Sequence, residues 1–203
     1  MKQPKTRFLF TLILFLVALA WLAGCTGKSP KADFYTLGAT PASGPPAKLS
    51  QDIAVAIGPV TIPMELDRKQ IVTRDAENRV SVAELSRWVG PLQDNITAVL
   101  TANLAARLGT EKVAPHNRES LFPFTHHVVL NINRFDGHPQ GEILLDVTWS
   151  IKKNGVSAPL LVKHSKIREP VATPDYAGLV AAQSKALAEI STRIADAIKQ
   201  LTP

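Results

Sequence analysis

The run from Ile143 to Ile151 constrains this chain's fold more than any other feature. Ile143, Leu145, Val147, Trp149 and Ile151 fall on one side of a period of two, opposite Asp146, Thr148 and Ser150. In a strand that spacing sends one set to a buried face and the other towards water. His127 to Asn133 repeats the pattern, with Val128, Leu130 and Ile132 on one face. The intervening segment from Asp136 to Gly141 suits a hairpin with a longer loop. Asn154-Gly155 then predicts a type I′ turn into a third antiparallel strand, from about Pro159 to Ile167. Lys163, Lys166 and Arg168 mark that third strand as an edge.

A sheet with one apolar face needs a cover, and two helical stripes supply it. Leu92, Ile96, Val99, Leu100, Leu104 and Leu108 recur at helical spacing. So do Tyr176, Leu179, Val180, Leu187, Ile190, Ile194 and Ile198, in a helix that Thr173 or Asp175 can cap. Lys185, Glu189, Arg193 and Lys199 form its solvated face. Lys112-Val113-Ala114 reads as a further short strand. The expected architecture is a single α/β domain, a mixed and mostly antiparallel sheet covered by two main helices. No internal repeat of fixed period is present.

The N-terminus is a targeting segment. Lys2, Lys5 and Arg7 precede an uncharged apolar stretch from Phe8 to Ala20, and Leu22-Ala23-Gly24-Cys25 reads as a lipobox. This is a secretory signal over residues 1–24, too short for a stable span. Cys25 is the only cysteine, so its thiol can take a diacylglycerol and its freed amine a further chain such as palmitate. Two or more chains give stable anchoring. Residues 25–50 read as a Gly-, Ser- and Pro-rich tether, with Phe34-Tyr35-Thr36-Leu37 as an island able to dock as a strand. Residues 51–203 are the domain, roughly 150 residues, enough for a real core without a disulfide. Loss of the signal lowers the formal charge from +6 to about +3, since three basic residues leave. That balance does not indicate nucleic-acid binding.

The stretch from Ile53 to Gly109 carries an ordered set of features. The apolar run Ile53 to Ile57 is interrupted by Gly58-Pro59. Leu66-Asp67-Arg68 follows, then two paired strands around an Asp75-to-Asn78 turn, Arg87-Trp88, and the helix from Leu92 to Leu108. This order resembles the PqiC/YmbA-type lipoproteins, the auxiliary lipoproteins of MCE-type ABC lipid-transport systems in Gram-negative envelopes. A Tyr-x-Leu near Tyr35 also matches. The resemblance implies a non-enzymatic accessory subunit whose partner is a periplasm-spanning MCE protein, with phospholipid or a related lipid as cargo. Thr26, not Asp, follows the cysteine; under the enterobacterial sorting rule this implies the periplasmic face of the outer membrane.

Catalytic constellations are missing from the sequence. It has no Gly-x-Ser-x-Gly elbow, no phosphate loop and no Gly-x-Gly-x-x-Gly, so it is not the ATP-hydrolysing member of a transporter. His116, His126, His127, His138 and His164 show no recognisable ligand spacing. No metal or cofactor is expected. Arg68, Arg87 and Trp88 stand out as partner-binding residues, because Arg and Trp are enriched in binding hot spots. Each also has a structural role open to it: a turn around Asp67, and a packed indole with Arg87 stacked or paired. A periplasmic lipid-binding carrier, a hydrolase and a general envelope-stability lipoprotein are the rival readings. Homo-oligomers are compatible with all of them.

Overall fold

The computed structural model describes residues 30–40, 53–118 and 121–202, together with isolated positions 8, 10, 14 and 15. Cys25, most of the expected signal segment and the greater part of the expected tether lie outside the described residues. The chain divides into two units, Met1–Lys31 and Ala32–Pro203; the second contains everything that follows.

Among the described residues, eight strands and two α-helices form two mixed sheets. The larger sheet is built on the alternating strands. β6 (His126–Gly137), β7 (Glu142–Lys153) and β8 (Pro159–Pro170) form an antiparallel meander, with β8 at the edge. β2 (Val55–Thr61) adds to β6 in parallel, and β5 (Val113–Pro115) adds to β2. Trp149 is buried on the apolar face, its indole N–H donating to Ser165 Oγ at 3.1 Å. Asn133 is an extra residue between the register pairs Ile132–Val147 and Arg134–Asp146. The bulge reverses the alternation beyond it, so Phe135 joins the core and Asp136 turns to the opposite face.

Gly58-Pro59 does not end the Ile53 run. β2 continues through it with a cis Gly58–Pro59 bond and a register shift between Ile57 and Val60. Gly58 has φ +115°, and a Cβ there would stand 2.6 Å from His116 Nδ1, so both backbone and neighbour require glycine.

The smaller sheet has the order β1-β4-β3. β3 (Gln70–Ala76) and β4 (Arg79–Trp88) form an antiparallel hairpin, and β1 (Asp33–Tyr35) adds to β4 in parallel. The two sheets are joined at a buried carboxylate. Asp136, 2% exposed, pairs with Arg74 of β3 at 2.8 Å and with Arg134 at 2.7 Å. The Asp136 hydrogen bond raises the Arg74 pKa further; burial opposes this but does not win.

α1 (Leu92–Leu108) buries all six residues of its expected stripe and ends at Gly109, left-handed at φ 64°. α2 (Tyr176–Leu201) is capped by Asp175, whose Oδ1 accepts from Gly178 N–H at 2.7 Å. Residues 37–40 lie along both helices. Asn95 Oδ1 accepts from Leu37 N–H at 2.7 Å, Asn103 Oδ1 from Thr40 N–H at 3.0 Å, and Ser184 Oγ from Gly38 N–H at 3.1 Å. Leu37 is buried beneath this strap. Among the described residues, no helix is long and apolar enough to cross a membrane.

Candidate functional site

Three separate segments meet at one end of the smaller sheet. Leu66 is buried at the end of a 3-10 turn (Met64–Leu66), held by Leu66 N–H donating to Pro63 O at 3.0 Å. An anchored Leu66 leaves the next three residues, Asp67, Arg68 and Lys69, exposed. Lys69 O then accepts from Trp88 N–H at 2.7 Å, which brings this turn beside the end of β4. On the other side Val89 N–H donates to Tyr35 O at 3.0 Å, fixing β1.

The result is a cleft of about 650 Å³ lined by Phe34, residues 67–69 and residues 87–91. Arg68, Arg87 and Trp88 therefore share one site although 20 positions separate the first from the last. Their roles differ. Trp88 is 4% exposed and belongs to the core, so its bulk supports the floor. Arg87 is half-buried, its Nε donating to Glu84 O at 3.0 Å. The side chains of Arg68, Lys69 and Asp67 have no hydrogen bond or ion pair among the described residues. Asp67 is thus not the local backbone acceptor that its place in a turn predicts. Phe34 (64% exposed) and Val89 (71%) form apolar walls. Sequence reasoning missed Phe34, Lys69 and Val89 as site residues. The signal for Phe34 lay in the apolar island within the tether.

Two further polar clusters lie on the larger sheet. On its open face, Asp146 accepts from Asn133 Nδ2 at 3.0 Å and His164 Nε2 at 2.8 Å, and pairs with Lys166 at 3.3 Å. Burial alone would raise this carboxyl's pKa, but those donors outweigh it and hold it down to about 2. His126 and His127 face opposite sides of β6, His126 buried and His127 half-buried. Desolvation first, then Lys153 and His127, lower the pKa of His126. No group of three or more His, Cys, Asp or Glu residues able to hold a metal ion occurs among the described residues.

The chain is similar to known proteins over most of its length. It is 25% identical over 190 residues to the intermembrane transport lipoprotein PqiC of Escherichia coli K12, covering 93% of this chain and 97% of that one; the Shigella flexneri protein of the same name matches equally. Among solved structures, an uncharacterized protein superposes with a TM-score of 0.68 at 18% identity, covering 83% of this chain and 99% of the other. A Xanthomonas campestris protein gives a TM-score of 0.64 at 15% identity, covering 81% and 93%. Those two likenesses establish the fold. Residues 35–195 match the family described as the ABC-type transport auxiliary lipoprotein component, and the chain belongs to that family.

Proposed function

We propose that this chain is the membrane-anchored accessory subunit of an MCE-type ABC lipid-transport system. Acylated Cys25 holds it on the periplasmic face of the outer membrane. It acts without catalysis, by contact with a periplasm-spanning MCE protein, and it supports envelope integrity. The observation that carries this reading is the family match over residues 35–195, with the name of the curated relatives, intermembrane transport lipoprotein, in support. The lipobox, and Thr26 in place of Asp, support the anchor and its membrane. Within the folded unit, Arg68 and Arg87 stand at the rim of a cleft whose floor Trp88 fills, which leaves that cleft open to a contact from outside the domain.

The test begins at the anchor. Cys25→Ala leaves the precursor uncleaved or releases the protein from membranes, and mass spectrometry of the native membrane fraction finds Cys25 acylated. Affinity capture of the acylated protein from envelopes then retains an MCE protein. Unmodified Cys25 in the membrane fraction overturns the anchor. Acylated protein that captures no MCE protein from envelopes containing one overturns the partner.

A further inference from the structure

The cleft combines features that seldom stand free on a domain's surface. Phe34 and Val89 present apolar side chains to solvent, and Met64, at the start of the turn that leads into Asp67, is 88% exposed. Arg68 and Lys69 have no counter-ion among the described residues, Arg87 lies beside them, and Asp67 is the one acid in the lining. Apolar side chains beside a surplus of cations match the boundary between acyl chains and anionic headgroups.

Chain connectivity points to the same occupant. β1, which supplies Phe34, starts eight residues after Cys25. Whatever path those residues take, they span at most about 30 Å. The β7–β8 hairpin lies at the far end of the domain. α1 runs about 25 Å from Pro91, at the cleft, to Gly109. Beyond it Lys112 O accepts from Val55 N–H, and the register runs from Val55 through His126 to Lys153. There the β7–β8 hairpin follows Lys153, whereas towards the opposite end of the same strands Lys166 is committed to Asp146 and Arg168 to Glu142.

We propose that the cleft is a membrane-docking surface, with Arg68, Lys69 and Arg87 on anionic phospholipid headgroups and Phe34 and Val89 at the acyl boundary. This orients the domain on the bilayer that holds its own anchor, and it rests on the proposed acylation of Cys25. Each basic residue at an anionic surface contributes about fivefold in partitioning.

Full-length acylated protein is reconstituted into phosphatidylethanolamine vesicles containing about one-fifth phosphatidylglycerol, a composition chosen to supply the surface charge the cations need. A fluorophore is placed on Val89→Cys or, as a control, on Val156→Cys at the hairpin, and nitroxide-labelled headgroups act as quencher. With Cys25 acylated, the introduced thiol is the single free one. The expected result is quenching at position 89 and none at 156. Arg68→Glu with Lys69→Glu reduces the docked fraction about tenfold or more while flotation with the vesicles is unchanged. Equal quenching at both positions, or quenching at 156 alone, overturns the proposal. So does a position-89 signal that responds to added MCE protein instead of lipid, or to rising protein concentration in detergent, which identifies a protein partner or a second copy. Protein that fails to float overturns the anchor, and the docking proposal with it; protein that floats without quenching at 89 overturns docking alone.

Discussion

Phe34 on β1 and Arg87 on β4 are register partners in a parallel pair, so both side chains leave the same face of the smaller sheet. One residue further on, Tyr35 and Trp88 are partners on the opposite face and pack against the core. A single step along the two strands separates what the cleft displays from what supports it.

That alternation gives opposite expectations for neighbouring substitutions. Trp88→Ala removes a core side chain and costs about 3–5 kcal/mol, as aromatic truncations in cores do. Arg68→Ala, exposed and without a partner among the described residues, changes stability by no more than about 0.5 kcal/mol. Denaturant unfolding of both variants checks the pair. Equal midpoints would mean that Trp88 is not the floor of the cleft.

Asn95 is expected to govern how firmly residues 37–40 stay in place. Asn95→Ala leaves the Leu37 N–H without its acceptor, at a cost of about 1–3 kcal/mol. Amide hydrogen exchange reads the effect locally: protection falls at Leu37 and is retained in β7. Unchanged exchange at Leu37 would show that its burial alone holds the strap.

Asp146 makes stability depend on acid. Its carboxyl has a folded pKa of about 2 against an ordinary value of 3.8. A depressed folded value contributes stability that is fully present above about pH 4 and is lost as pH falls through about 2. The shift corresponds to about 2 kcal/mol. Asp146→Asn therefore flattens the decline in stability between about pH 4 and pH 2, measured as unfolding midpoint against pH. A variant that declines as steeply as the parent would place the acid sensitivity elsewhere.

Elements whose information is periodic were legible in the sequence. The Ile143-to-Ile151 face and all six residues of the α1 stripe follow from spacing, and the edge position of β8 from Lys163, Lys166 and Arg168. Features that depend on partners far along the chain were not. The Asn133 bulge, which turns Asp136 towards Arg74 of the second sheet, has no local signature. Asn95, Asn103 and Ser184 look like ordinary polar residues on amphipathic helices until the backbone of residues 37–40 arrives from 58 to 146 positions away. For the cleft, the sequence indicated Arg68 and Arg87 by residue type. It could not show that the bond from Trp88 N–H to Lys69 O brings them together, nor that Phe34 completes the wall.

The parallel pairing of β1 with β4 has a mechanical consequence. A pull that enters β1 from its N-terminal end and runs along the strand strains the backbone bonds between β1 and β4 together, in shear, instead of peeling them one at a time. Load that passes this pairing meets the amides of Leu37, Gly38 and Thr40, held on two separate helices. Tension arriving from the N-terminal side is thus shared between a sheet and a helical layer before it can reach the core.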